Sequence, residues 1–355
     1  MRKKIIFAIN HFYEGGAQRV VANIINNIYK EHDIYVIVLD DIIRYDIPLN
    51  NINYIHLSKF KAPRLFRVPI RLYNYIKLIK SINPDAIYSF GNFFSIYTSL
   101  AIKLSLKNNI QHITSERTDP SKEPKSNFWK IIRNWAYNNS SLLVCQTKDV
   151  ESYFNSRLSV KTKVIYNPIK SNLPKWEGNS SNRIITACRL EKQKNIPLLI
   201  KAFSVIHEKH KNIILEIYGE GSEKDNIMKI IKDYNLSSYV IVNGFSKDIH
   251  KIMAQSLAYV SSSDYEGISN SMLEALGIGL PTIVTDCPVG GARLFIKNGI
   301  NGFLVETNNF QALADGLLKL VENESIRKKY SEQSIEINRT LNIDYISKQW
   351  TDLLI

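Results

Sequence analysis

Two carboxylates, Glu266 and Glu274, stand on either side of seven residues in "SSSDYEGISNSMLEALGIGLPTIVTD" (261–286). Residues 258–261 have the β-rich run of a strand and 262–270 read as a loop. The residues beyond read as a helix of about two turns, ended by Gly279 and Pro281. A helical path from one carboxylate to the other covers about 12 Å. The amides of Gly267, Ile268, Ser269, Asn270 and Ser271 fall between them, at a helix start where partial positive charge collects. An amide cluster of that kind suits an anionic group, most often a phosphate. Carboxylates at its two ends suit hydroxyls, so the pattern has the outline of a nucleotide sugar. Ser271 and Glu274 also fit a capping box, in which Glu274 turns back to the Ser271 amide. Both readings of Glu274 stand at this point, and Glu266 taken alone reads equally as a solvated loop residue.

A second group follows another strand-like run. In "TACRLEKQKNIPLLIKAF" (186–203), Arg189 and Lys194 fall in a strand-to-helix loop, where both can converge on one diphosphate. Two cations there neutralise the charge of a departing nucleoside diphosphate. Each alone reads as ordinary surface charge. No Asp-x-Asp pair or His/Asp/Glu cluster has divalent-ion spacing, so the sequence points to chemistry without a metal.

The elements that must position these groups alternate. Residues 5–9, 34–39, 86–90, 110–114, 142–146 and 163–166 read as buried strands, with amphipathic stretches such as 17–29 and 71–81 between them. "KSNLPKWEGNSSN" (170–182) interrupts the pattern and reads as a linker. The alternation restarts with 183–187, 213–218, 239–242, 258–261, 282–284 and 303–305, and the tail is helical. The expected architecture is α/β: two doubly wound domains facing each other, covering 1–169 and 183–339, with a helix over 340–355. In such sheets ligands sit at the carboxyl ends of the strands, so the cleft between the domains is the expected site. A chain of 355 residues agrees with two cores. Cys145, Cys188 and Cys287 match no disulfide or metal spacing and read as buried thiols in a reducing compartment. Neither a cleavable leader nor an apolar run long enough to cross a bilayer is visible, which predicts a cytoplasmic chain.

At these residues the chain resembles the retaining glycosyltransferases of family 4, which have the GT-B fold. Glu266 to Glu274 followed by "EALGIGLPTIVTD" resembles that family's paired-glutamate signature. "RLEKQKN" resembles its Arg…Lys loop, "YGEGSEKDNI" (218–227) its Gly-x-Gly turn, "HFYEGGAQRVVANI" (11–24) its Gly-Gly loop and "VIYNPI" (164–169) the segment closing the first domain. The resemblance runs over essentially the whole chain. It implies that Glu266 bonds the transferred sugar and Glu274 the ribose, while Arg189 and Lys194 hold the diphosphate. It implies that Gly16 lets the first-domain loop approach the donor, and that the amides from Gly267 to Ser271 serve sugar and phosphate. The leaving diphosphate is the implied base, with no cofactor beyond the nucleotide sugar. Cys188 and Asn195 stand where that family commonly has glycine. In "TSERTDP" (114–120), Arg117 stands where many relatives place a histidine. The resemblance therefore makes Glu116 and Arg117 acceptor-side or sugar-contacting candidates, without carrying the histidine's role to Arg117.

Charge is divided unevenly. Residues 1–170 hold 25 Lys and Arg against 12 Asp and Glu, whereas 171–355 hold 21 of each, so the whole net charge of +13 lies in the first half. "KFKAPRLFRVPIRLYNYIKLIK" (59–80) carries seven cations, no acids and interleaved apolar residues. It reads as a surface able to lie on anionic lipid, or as a basic helix covering the first sheet. Nucleic acid is not an expected partner, since no nucleic-acid motif accompanies the patch. The expected function is transfer of a hexose or N-acetylhexosamine from a UDP-linked donor to a glycan acceptor on a lipid diphosphate, at the inner face of the cytoplasmic membrane. The alternatives are another GT-B enzyme, such as a nucleotide-sugar epimerase, and a non-catalytic membrane- or nucleic-acid-binding protein.

Overall fold

Runs of Ile, Val and Phe buried on both faces are the mark of strands inside a parallel sheet, and this chain contains two such sheets. A computed structural model describes residues 2–13, 15–58, 67–107, 109–178 and 181–354. It divides into two compact units, Met1–Pro168 with Ile343–Ile355, and Ile169–Asn342.

In the first unit the described residues form seven parallel strands: β1 (Lys4–Ile9), β2 (Asp33–Val38), β3 (Asn53–His56), β4 (Ala86–Phe90), β5 (Gln111–Ser115), β6 (Leu142–Cys145) and β7 (Thr162–Val164). They lie in the order β3-β2-β1-β4-β5-β6-β7. The helices are α1 (Gly16–Ile28), α2 (Arg67–Ile82), α3 (Asn92–Ser105), α4 (Asn127–Asn138) and α5 (Lys148–Asn155). α2 lays Tyr75, Ile79 and Ile82 into a core with Ile6, Ile87 and Phe94. β3 is absent from the strands read in the sequence because its four residues are only half-buried at the sheet edge, with no apolar run to mark them. The terminal helix Ile343–Thr351 belongs to this unit: Trp350, 1% exposed, packs on Tyr88 and Phe90, and its carbonyl accepts the Tyr88 hydroxyl at 2.7 Å.

The second unit holds β8 (Arg183–Ala187), β9 (Ile214–Tyr218), β10 (Val240–Gly244), β11 (Ala258–Ser261), β12 (Thr282–Thr285) and β13 (Phe303–Val305), parallel and ordered β10-β9-β8-β11-β12-β13. Its helices include α6 (Ile196–Lys209), α7 (Lys224–Asp233), α8 (Ile249–Ala254), α9 (Asn270–Ile278) and α10 (Phe310–Glu322). Leu199 and Phe203 of α6 and Leu313 and Leu317 of α10 close over Ile184, Leu215, Val260 and Ile283 of the sheet. Residues read as a linker lie within this unit: the Trp176 amide donates to the Ile278 carbonyl and its indole to the Ser256 carbonyl. In each sheet the strand order reverses beside the first strand, at β1/β4 and at β8/β11. The loops leaving those strand pairs open a crevice at the carboxyl ends.

Candidate functional site

At the β8/β11 switch, two loops are bonded to each other. The loop after β8 carries Arg189 and Lys194, and the loop after β11 carries Glu266. Lys194, 7% exposed, forms an ion pair with Glu266 Oε1, while Glu266 Oε2 accepts the Ser263 hydroxyl at 3.1 Å. The pairing is built by the backbone around it. The Asp264 amide donates to the Gln193 carbonyl, the Gln193 side chain donates to the Tyr265 carbonyl, and the Ser262 hydroxyl donates to the Lys194 carbonyl. Asn195 adds a bond to Asp264 at 2.6 Å. Its φ of 43° is left-handed, a conformation asparagine tolerates, and its side chain caps α6 at the Leu198 amide. The departure from glycine at 195 is thereby accommodated. Arg189 lies on the same loop and is exposed, and its carbonyl accepts the Glu191 amide at 2.9 Å.

Glycines allow a third and a fourth loop to close in. A Cβ on Gly219 would lie 1.8 Å from the Cys188 carbonyl oxygen, and one on Gly221 would lie 2.4 Å from that of Leu190. The Gly-x-Gly turn after β9 is therefore pressed against the Arg189 loop. A Cβ on Gly291 would stand 1.7 Å from the Gly267 carbonyl oxygen, so the loop after β12 buttresses Gly267 and Ile268 from behind. Burial in this packing pushes the Cys188 thiol up to about 11, although Lys194 nearby opposes the shift. Of the three cysteines, Cys145 and Cys287 are buried as expected, whereas Cys188 is half-buried; all three are free thiols.

The capping reading needs correction. α9 begins at Asn270 and is capped by Ser269, whose hydroxyl accepts the Met272 amide. The Ser271 hydroxyl instead donates to the Ala187 carbonyl at 2.6 Å, tying the helix start to the end of β8. Glu274, 4% exposed, lies inside the helix with His250 Nε2 of α8 at 3.0 Å from its Oε2, so it is not the return arm of a capping box. The amides of Gly267, Ile268, Ser269, Asn270 and Ser271 do fall at the start of this helix, between Glu266 and Glu274.

Residues 172–337 match the family described as Glycosyl transferases group 1, and residues 14–173 match Glycosyltransferase Family 4. The chain is a GT4-like glycosyltransferase of the GT-B fold. It is 28% identical to the Campylobacter jejuni N-acetylgalactosamine-N,N'-diacetylbacillosaminyl-diphospho-undecaprenol 4-alpha-N-acetylgalactosaminyltransferase, with 94% of each chain covered. It is 24% identical to the amylovoran biosynthesis glycosyltransferase AmsD of Erwinia amylovora, with 99% of each covered. The crystal structure of Anabaena Alr3699/HepE in complex with UDP and glucose superposes with a TM-score of 0.86 at 19% identity, covering 99% of each chain.

In the first unit of the glycosyltransferase, α1 begins at Gly16 directly beyond Gly15, whose φ of 112° favours glycine. Glu116, 2% exposed, accepts the amides of Arg117 and Thr118 on Oε1 and the Tyr137 hydroxyl on Oε2, with Arg133 at 3.9 Å. Burial raises its pKa against the pull of Arg133 and these donors. These bonds make Glu116 an anchor of the loop after β5. Arg117 differs: one nitrogen, Nη1, donates to Asn167 at 3.0 Å, and its guanidinium lies over the rings of Phe90 and Trp350.

His250, Ser263 and Gly291 join these loops without a motif that marks them in the sequence. Only the Gly-Gly pair at 290–291 offered a signal; a histidine on a short helix and a serine among three carry none. The N-terminal part of the basic patch, 59–66, lies outside the described residues. The remainder is α2, which exposes Val68, Ile70 and Tyr73 to solvent at 56, 37 and 67%. Among the described residues no helix is long and apolar enough to cross a membrane.

Proposed function

We propose that this glycosyltransferase moves a hexose or N-acetylhexosamine from a UDP-linked donor to a glycan acceptor on a lipid diphosphate, with retention of anomeric configuration, in the assembly of a surface polysaccharide. The reading is carried by the Lys194–Glu266 contact, which sets an ammonium and a carboxylate side by side at the switch point with Arg189 exposed on the same loop. Arg189 and Lys194 hold the donor diphosphate in place of a divalent ion and stabilise its charge as it leaves. Glu266 accepts from hydroxyls of the transferred sugar and Glu274 from the ribose, while the amides at the α9 start serve the phosphates. The acceptor hydroxyl attacks C1 on the face from which the diphosphate departs. The new C–O bond forms as the bond from C1 to phosphate oxygen breaks; that electron pair leaves with UDP, and the acceptor proton passes to a phosphate oxygen. The names of the Campylobacter and Erwinia relatives support the lipid-diphosphate acceptor and the polysaccharide product. The basic, apolar start of α2 supports a peripheral seat on the inner face of the cytoplasmic membrane. Measuring UDP release from a panel of UDP sugars tests the reading. At least one donor is expected to turn over, and Glu266→Ala to slow that turnover at least 100-fold. A panel with no turnover, or a Glu266→Ala protein as fast as wild type, refutes it.

A further inference from the structure

The guanidinium of Arg117 is held in place with one edge unbonded. Nη1 is fixed by Asn167 Oδ1, which also accepts the Gln146 side chain at 2.8 Å. The Arg117 Cζ lies 5.5 Å from the Phe90 ring centroid and 5.2 Å from that of Trp350. Nε and Nη2 are both buried and have no hydrogen-bond partner among the described residues. Those two nitrogens form one edge of the guanidinium, with parallel N–H bonds that fit a pair of oxyanion oxygens. Burial lowers the Arg117 pKa to about 9, the mark of a charge with too few partners.

The surroundings favour an anion as the missing partner. Glu116, the nearest carboxylate, is occupied by Tyr137, two amides and Arg133. Phe90, beneath the guanidinium, is followed by Gly91 and by the start of the 14-residue helix α3, which has no side-chain cap. The Gly91 amide reaches back to the Ser115 carbonyl, which sets that helix start beside the Arg117 loop. Ser115, 1% exposed, holds a buried hydroxyl without a partner two residues from Arg117. A fixed guanidinium edge, an unused hydroxyl and a helix start without a side-chain cap all follow or end β4 and β5, at the carboxyl ends of the two strands.

We propose that the Nε/Nη2 edge of Arg117 binds an oxyanion of the acceptor and thereby sets acceptor specificity. The inference rests on the proposed function, in which the second unit holds the donor. Two sources supply the same chemistry: the diphosphate of a lipid-linked saccharide and the carboxylate of an acidic sugar. The test is equilibrium titration with UDP saturating, so that Arg189 and Lys194 are occupied. Three probes are used: a short-chain prenyl-diphospho-N-acetylglucosamine, the same prenyl saccharide without the diphosphate, and methyl glucuronide.

Wild type is expected to bind one anionic probe at least tenfold more tightly than the neutral prenyl saccharide. Preference for the first assigns the diphosphate; preference for the glucuronide assigns the carboxylate. Arg117→Gln is expected to remove the advantage and Arg117→Lys, which keeps charge without the fork, to restore part of it, with UDP affinity unaltered in both. A wild type that does not distinguish anionic from neutral probes overturns the proposal, as does an Arg117→Gln protein that keeps the preference. The wild-type contrast stands even where a variant fails to fold. Failure of UDP itself to bind counts against the proposed function, and the probe contrast is then read without it.

Discussion

Replacing Gly291 with alanine changes no group assigned to chemistry, yet it is expected to disable the donor site. The added Cβ would stand 1.7 Å from the Gly267 carbonyl oxygen, 2.7 Å from its carbonyl carbon and 3.2 Å from Ile268 Cα. These are backbone atoms, with no flexible side chain to swing aside. To open the first contact even to 3.0 Å, the two loops must part by about 1.3 Å. Gly267 directly follows Glu266, and Ile268 leads into the Ser269 cap of α9, so the shift is delivered to the acid and the helix start together. Misplacement of about 1 Å at a reacting centre costs on the order of 100-fold in rate. Overpacking of this kind destabilises by ~1–3 kcal/mol, which lowers the melting temperature by several degrees in a chain of this size. The assays are differential scanning fluorimetry, UDP binding by calorimetry and UDP release under saturating donor. Gly299→Ala serves as the control, because its Cβ meets nothing within 4 Å although its φ of 78° also disfavours alanine. Equal loss in both variants would mean that general strain is responsible. A Gly291→Ala protein with wild-type UDP affinity and turnover per folded molecule would refute the argument that these amides and Glu266 act from one fixed position.

Two further outcomes concern the first unit. His112 is buried between Ser89 and Ser99, and burial lowers its pKa to about 3 from 6.5. Between those values the unfolded chain binds the extra proton, so stability is full above pH 6.5 and is lost as pH falls toward 3. The loss approaches roughly 3–5 kcal/mol, and His112→Asn should flatten that limb of urea unfolding measured against pH. The exposed Val68 and Tyr73 on α2 are expected to dip into lipid, so Val68→Asp with Tyr73→Asp should abolish sedimentation with anionic vesicles without lowering the melting temperature. Each cation removed from the patch should weaken sedimentation about fivefold at low salt, and unchanged sedimentation would sink the membrane reading.

What could be read beforehand followed physical periodicity. Strands such as Ala86–Phe90 and Arg183–Ala187 are mostly apolar runs because both faces are covered, and their limits agree with the structure residue for residue. β3 escaped because an edge strand four residues long needs neither a run nor a clean alternation. Lys194 and Glu266 could be read as candidates because their loops follow strands, where chemistry collects in this fold. Their direct pairing was not, since 72 residues separate them and only the switch in strand order brings the loops together. The capping box failed for a related reason. Ser-x-x-Glu is a local signal, but the β8 carbonyl at Ala187 and the α8 histidine at 250 compete for the same side chains, and both are tertiary neighbours that no window in sequence contains.

Burial alone would have chosen the wrong groups. Arg133 and Glu116 are as deeply buried as any ionisable pair in the chain, and a search for hidden charges would begin with them. Their hydrogen bonds say otherwise. Arg133 Nη1 serves the carbonyls of Pro120 and Glu123, its Nε and Nη2 share Asn134, and its plane lies 5.0 Å from the Phe154 ring. Each of its nitrogens has a partner inside the protein, so the pair closes the loop after β5. Arg117, one residue beyond Glu116, has the same chemistry and keeps an edge unmatched. Desolvating that edge without a partner destabilises the unliganded fold, and the imbalance is relieved only when an oxyanion arrives. A group whose bonding is left incomplete by an otherwise well-bonded loop therefore points to its ligand more firmly than depth or charge does. By that criterion Arg117, whose buried edge is unmatched, is the stronger candidate for an oxyanion than Arg133.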